Sequence, residues 1–201
     1  MLFRSVVTGA LGHIGSRLMR DLPSVFPKCE IMMIDNMMTQ RFCSLFNLPK
    51  EGRYKFIEAD ITKMELLPLL ECSDVIVHLA AITDAAASFD RASMVEENNY
   101  HATRRLAEAC AESGVPLITI SSTSVYGTQA ELVDENCSEE DLKPQSPYAM
   151  TKLKEERLVK QLVKDRGLRA AIFRFGTIFG VSPGMRFHTA INKFCWQAAM
   201  G

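Results

Sequence analysis

Residues 8–15 read TGALGHIG, that is Thr8, Gly9, Ala10, Leu11, Gly12, His13, Ile14 and Gly15, with the three glycines spaced three apart. The apolar run Leu2 to Val7 precedes them and the helix-patterned segment His13 to Asp21 follows. The stretch therefore reads as a strand that turns directly into a helix. Glycine at such a turn permits a positive φ or a close approach, so main-chain N–H groups and a helix N-terminus can meet a pyrophosphate. Glycines in a tight turn also serve packing alone, and the context separates the two uses. The triplet opens the first strand–helix unit, and the next apolar run, Glu30 to Ile34, ends at Asp35, twenty residues beyond Gly15. A carboxylate there accepts hydrogen bonds from the adenosine ribose and repels a 2'-phosphate, which favours NAD over NADP. The competing reading makes Asp35 and Asn36 a plain turn, and Arg41 is near enough in sequence to keep a 2'-phosphate in play.

Outward from this turn, short runs rich in Val and Ile alternate with longer helical patterns. Strands are predicted at Leu2–Val7, Glu30–Ile34, Lys55–Ile57, Val75–Leu79, Leu117–Ile120 and Ala170–Phe173. Helices are predicted at His13–Asp21, Met64–Leu70, Ala92–Ser113 and Pro147–Asp165. Near-continuous apolarity in the strands implies burial on both faces, and hence an α/β fold with a doubly wound parallel sheet of the Rossmann type. Residues 1–175 are expected to form this dinucleotide-binding domain with the catalytic residues. The pattern changes at 176–201, where Gly176, Gly180, Pro183 and Gly184 precede the amphipathic segment Thr189 to Met200. That segment is read as the start of a substrate-binding region which Gly201 cuts short. The acidic stretch Glu131 to Asp141 is expected to be a solvated loop bordering the site.

The bulk numbers narrow the partners. With 201 residues, 23 Lys plus Arg and 24 Asp plus Glu, the chain has a formal net charge of -1 and no long run of one sign. Electrostatics gives no case for nucleic acid or an anionic membrane, so a small molecule is the expected partner. The six cysteines are scattered without a CxxC pair or a metal-ligand spacing. Reduced thiols in a cytoplasmic protein with no metal are expected. No targeting peptide or membrane span is read. The four histidines, His13, His78, His101 and His188, are first read as packing residues, as are Met32, Met33, Met37 and Met38 around the second strand.

SPYAMTK, residues 146–152, places Pro147 at a first helical position and sets Tyr148 and Lys152 on one helix face. A phenol has an unperturbed pKa of about 10 and is a poor base at neutral pH unless positive charge stabilises its phenolate. Lys152, one turn away, supplies such charge. A hydroxyl at Ser122, at a strand end, can bond the same substrate oxygen.

Together these motifs resemble the extended short-chain dehydrogenase/reductase family, in particular its NAD-dependent nucleotide-sugar epimerases and dehydratases. TGALGHIG is similar to the family's TGxxGxxG loop, Asp60-Ile61 to its adenine-side pair, and His78-Leu79-Ala80-Ala81 to its HxAA strand end. Asn99 falls at its structural asparagine, SSTSVYG (121–127) resembles its serine strand, and Tyr148 to Lys152 its YxxxK. The resemblance implies Ser122, Tyr148 and Lys152 as the catalytic set. It implies a cofactor border of Thr8, Gly9, Gly12, His13, Ile14, Gly15, Asp35, Asn36, Asp60, Ile61, Leu79, Ala80, Ala81 and Asn99, joined by Tyr148 and Lys152. Thr83, Ser122, Thr123, Thr177 and Asn192 are the candidate substrate contacts.

The implied reaction is epimerisation of a nucleotide sugar through transient hydride transfer to NAD and a keto intermediate. A 4,6-dehydratase is disfavoured, because the family's dehydratases resemble one another in carrying acidic residues after the catalytic hydroxyl and this chain has Thr123 and Ser124. A dehydrogenase, reductase or dehydratase of a sugar or small hydroxy compound, and a silent dinucleotide-binding protein, stay open. Thr177 stands where the family often carries an asparagine toward the nucleotide diphosphate. A homodimer through the 92–113 and 147–165 helices is also implied, although Leu106, Ala109, Leu153, Leu158 and Leu162 suit packing on the sheet equally well.

Overall fold

The computed structural model describes residues 2–83, 89, 92–128, 133–187 and 189–201. His188 and the first residues of the acidic loop, Glu131 and Leu132, lie outside the described residues. The chain forms two compact units, one of Met1–Ala80 with Thr177–Gly201 and one of Ala81–Gly176.

The first unit holds β1 (Arg4–Thr8), α1 (His13–Val25), β2 (Glu30–Asp35), β3 (Arg53–Glu58), α2 (Leu67–Leu70) and β4 (Val75–His78). Its strands run in the order β3-β2-β1-β4 and all pair in parallel, with Val6 opposite Met32 on one side and Ile76 on the other. Val7, Leu11, Met19, Ile31 and Met33 make its core, so the packing reading of Met33 and Met37 holds, while Met38 is exposed. The helix predicted from Met64 is shorter than its apolar pattern, because Asp60 accepts the main-chain N–H of Thr62 and shapes a turn ahead of α2.

The second unit holds α3 (Ala92–Ser113), β5 (Leu117–Ser122), α4 (Pro147–Arg166) and β6 (Ala170–Phe175), with β5 and β6 parallel. All strand pairings among the described residues are parallel, in the α/β, Rossmann-type class that the sequence implies. α4 starts as the sequence predicts: Pro147 is at its first turn, and the Ser146 hydroxyl accepts the N–H of Ala149 at 3.1 Å. Gly167, with φ 67°, ends the helix. α3 packs along α4, with Leu106 of α3 buried and Leu153 of α4 buried in a cluster with Val125, Tyr126 and Leu142. The chain between α4 and β6 is fixed by a buried ion pair, in which Arg174 Nε and Nη2 reach the two oxygens of Glu156 at 2.9 and 2.7 Å.

Burial alone would raise the Glu156 carboxyl pKa, but hydrogen bonds from Arg174 and Ser121 and the charges of Arg174 and Lys160 together outweigh it and hold the group below its ordinary value. Its contribution to stability is therefore present above the unfolded value of about 4.3 and lost as pH falls through the folded value. Urea unfolding between pH 3 and 7 should show this acid loss, and Glu156→Gln should be less stable at pH 7 with a shallower decline. Arg174→Ala, which strands a buried carboxylate, should cost about 3–5 kcal/mol in the same assay.

Candidate active site and cofactor cradle

The cradle lies in the first unit. Gly9 has φ 64°, and a Cβ there would stand 2.6 Å from the main-chain nitrogen of Ala80. Gly15 would place a Cβ 2.6 Å from the carbonyl oxygens of Gly9 and Ala10. Gly12 caps α1 and donates its N–H to Gly9 at 3.1 Å, which closes the turn under the helix N-terminus. Only residues without Cβ let Gly9 and Gly15 approach so closely; the N–H groups of Ala10, Leu11 and Gly12 are taken by Ile34, Asp35 and Gly9, and the start of α1 follows directly. A pyrophosphate fits that geometry and charge.

The walls of the cradle are tied down by polar side chains. Asp35 accepts the N–H of Leu11 at 3.1 Å on one oxygen and that of Met37 at 3.0 Å on the other. The carboxylate is thus aimed from the end of β2 toward the turn, as a ribose partner requires, with acceptor capacity left over. Asn36 turns its side-chain oxygen back onto the N–H of Met38. Asp60 accepts both the hydroxyl and the N–H of Thr62; the hydroxyl bond leads in holding its carboxyl below the ordinary range. Ile61 is buried beside it.

Thr8 is fully buried; its hydroxyl shares a 2.7 Å hydrogen bond with His78 Nδ1 and accepts the N–H of Ala80 at 3.3 Å. His78 is accordingly a packed strand-end residue, and Leu79 and Ala80 are held against the turn. His13 bonds the carbonyl of Gly180 at 3.0 Å. A carbonyl only accepts, so Nε2 carries the proton. Ile14 is half-buried on the first turn of α1.

The segment after Gly176 adds contacts that sequence spacing does not show. Gly184 donates its N–H to Ser16 Oγ at 2.9 Å, and a Cβ on it would stand 2.2 Å from the Leu11 carbonyl oxygen. Asn192 is buried, accepts the N–H of Gly180 at 3.0 Å and donates to the Arg186 carbonyl at 2.8 Å. Both ends of its amide brace this loop. Thr177 is exposed. An apolar cavity of about 520 Å³ lies between this loop and α5 (Ala190–Met200), lined by Phe179, Met185, Phe187, Ile191 and Trp196.

The candidate catalytic residues lie in the second unit. Ser122, the last residue of β5, accepts both the N–H and the hydroxyl of Ser124 on its Oγ, at 3.2 and 2.8 Å. With two bonds accepted, its own proton is the one left to offer a substrate oxygen. The sequence marks Ser124 only as a non-acidic residue after Ser122; the S-x-S spacing is the signal of its contact with Ser122. Thr123 between them is exposed. Tyr148 is half-buried on the first turn of α4 and Lys152 is buried on the second.

Burial would lower the Lys152 pKa, yet the charges of Glu155 and Tyr148, the hydrogen bond to Glu155 and the charge of Glu156 together more than reverse this, and the ammonium stays protonated. Asn99 is buried on α3 and spends its amide on both main-chain groups of Ile82, at 2.8 and 2.9 Å. It fixes the chain beyond β4. Ala81 and Thr83 flank that pinned residue and are half-buried.

The model of the NAD dependent epimerase/dehydratase family matches residues 5–198. The chain belongs to that family. A protein of Bacillus subtilis described as an uncharacterised UDP-glucose epimerase is 36% identical over 201 residues, covering 96% of this chain and 62% of its own. The dTDP-D-glucose 4,6-dehydratase of Mus musculus is 32% identical, covering 95% of this chain and 54% of its own. Among solved structures, the UDP-N-acetylglucosamine 4-epimerase of Methanobrevibacter ruminantium superposes over 100% of this chain and 64% of its own, with TM-score 0.88 and 28% identity. The UDP-glucuronic acid 4-epimerase of Bacillus cereus in complex with NAD gives TM-score 0.84 at 30% identity, over 98% of this chain and 64% of its own. The chain thus spans about three fifths of the length of these relatives.

The cofactor of the family is NAD, and the cradle fits it: crowded glycines, a free helix N-terminus and an acidic strand end. Gly12→Ala should separate binding from folding, because its Cβ would meet only the Gly9 carbonyl at 3.2 Å and the Arg41 guanidinium at 3.9 Å. Calorimetry is expected to show NAD affinity reduced by tenfold or more with a nearly unchanged melting temperature. Gly9→Ala, with its positive φ and main-chain clash, should lower the melting temperature as well.

Proposed function

We propose that this protein is an NAD-dependent nucleotide-sugar epimerase. The observation that carries the reading is the set on β5 and α4: a Ser122 hydroxyl with its proton free to donate, a half-buried Tyr148, and a buried, protonated Lys152 on the next turn. Tyr148, once deprotonated beside the Lys152 ammonium, removes the proton from a sugar hydroxyl, while Ser122 donates a hydrogen bond to the same oxygen. NAD, when bound, supplies the hydride acceptor at the sugar carbon and returns the hydride to it. Tyr148 then gives the proton back, and return to the opposite face of the keto sugar makes the epimer. The cofactor leaves each cycle as it entered, so no net NADH accumulates.

The neutral pair Thr123-Ser124 supports epimerisation over dehydration, since Ser124 is engaged with Ser122 and no carboxylate follows the catalytic hydroxyl to assist loss of water. Two of the solved relatives are named as 4-epimerases of UDP-sugars, which supports a UDP-sugar substrate here. The alternative, a dehydrogenase or reductase of a small hydroxy compound, would form NADH in proportion to product.

We also propose a homodimer through α3 and α4. Met94, Met150 and Val163 are exposed apolar residues on these helices, whereas Leu106, Leu153 and Leu162 are used up in the unit's own packing. A reducing, cytoplasmic setting suits the six free cysteines. Among the described residues no helix is long and apolar enough to cross a membrane.

Incubation with UDP-glucose, UDP-N-acetylglucosamine or UDP-glucuronic acid, followed by chromatography, should show conversion to the 4-epimer without steady-state absorbance at 340 nm. Tyr148→Phe should lower turnover by about 10²–10⁴-fold and change NAD affinity by less than about threefold. Net NADH formation, or turnover unaffected by Tyr148→Phe, would sink the epimerase reading.

A further inference from the structure

Glu155 sits on α4 three residues after Lys152, and its Oε2 lies 2.9 Å from the Lys152 ammonium. Both side chains are almost wholly buried, at 3% and 6% exposure. Thr103 of α3 donates its hydroxyl to the same carboxylate oxygen at 3.1 Å. The other oxygen, Oε1, is buried with no hydrogen-bond partner among the described residues. An exposed pair at this helical spacing is an ordinary surface feature, but taking both charges out of water is costly and here leaves one carboxylate oxygen unsatisfied. The pair touches the one lysine on which the acid/base chemistry of Tyr148 rests.

An ammonium on its own favours a nearby phenolate. An ammonium with a carboxylate in contact presents a much weaker dipole. We propose that Glu155 is a positioning residue of the active site: it fixes the Lys152 ammonium and offsets its charge, so that Tyr148 gives up its proton at a higher pH than Lys152 alone would set. This rests on the reading of Tyr148 as the acid/base group.

The surrounding charges are consistent with it. On α4 itself the groups coupled to Lys152 are Glu155, Tyr148 and Glu156. From β6 comes Arg174, bound to both oxygens of Glu156, with its guanidinium 4.8 Å from the ring centre of Tyr126. β5 contributes the hydroxyls of Thr119 and Ser121. α3 contributes Thr103 and the buried Cys110 thiol, whose pKa burial pushes up to about 12. Charged residues of α3 pair at the surface, Glu96 with Lys154, Arg104 with Glu108 and Glu112 with Arg166. The buried charges on and against α4 thus form two pairs, Lys152 with Glu155 and Arg174 of β6 with Glu156, to which the exposed Lys160 adds a contact at 3.9 Å, and Glu155 is the member that cancels Lys152.

The test is an ultraviolet titration of phenolate absorbance near 295 nm on the chain itself, which requires no sugar turnover. Subtracting the titration of a Tyr148→Phe protein isolates Tyr148 from Tyr54, Tyr100 and Tyr126. Glu155→Gln keeps the hydrogen-bonding shape and removes the charge. The Tyr148 midpoint should fall by about one pH unit, and a fall of less than about half a unit in a folded variant overturns the proposal. Should Glu155→Gln not fold, the double variant Lys152→Met with Glu155→Leu replaces the pair by apolar residues of similar size. Its midpoint should stay within about half a unit of the unmodified protein, because a near-neutral pair has been removed; a larger rise, as if a bare cation were lost, overturns the proposal. Lack of epimerase turnover would defeat the functional reading and leave this titration result standing by itself.

Discussion

Main-chain crowding at the glycine turn is the constraint on which the first unit depends. Three segments far apart in sequence meet there with no room for a Cβ: Gly9 against Ala80, Gly15 against the carbonyls of Gly9 and Ala10, and Gly184 against the carbonyls of Leu11 and Gly12. That closeness keeps β1 and α1 tight at the turn. Thr8, Asp35, Ser16 and Ser44 then spend their polar groups holding the turn, Ser44 through the Leu11 carbonyl at 2.9 Å. The cradle is rigid because its supports are hydrogen bonds to main chain, which fix position more closely than apolar contact does.

The second unit depends on a different device, charge buried on one helix. α4 carries Lys152, Glu155 and Glu156 on its inner side, and each is matched, Lys152 by Glu155 and Glu156 by Arg174. Unmatched, any one of them would cost several kcal/mol. Matched, they leave a helix that is locally neutral in its interior yet brings an ammonium to Tyr148. The stability of this unit and the proton affinity of its proposed base therefore draw on the same few side chains.

Much of this was legible in the sequence. The strand and helix alternation, the turn at residues 8–15, the acid at the end of β2 and the start of α4 at Pro147 all follow from local rules of periodicity, glycine conformation and capping, and the structure has them at those places. Asn99 was legible by resemblance as a structural asparagine, whereas the role of Asn192 was not, because an asparagine's role is set by which main-chain groups happen to lie opposite it. Both turn out to brace loops, at Gly180 to Arg186 and at Ile82. The helix expected from Met64 shrank to Leu67–Leu70 because the Asp60 turn competes locally with helix formation.

The sequence by itself determined the fold class, the family and the candidates proposed for the chemistry, since glycine spacing and a tyrosine-lysine pair on one helix turn are properties of the chain alone. Tertiary structure decided what each of those residues has left to give. Ser122 keeps a free proton because Ser124 supplies both bonds to its oxygen, and Lys152 is a partly cancelled cation because Thr103 on α3 holds Glu155 against it. Hydrogen-bond capacity and charge are shared among neighbours in space, and the spacing of residues along a chain does not record how that sharing is settled.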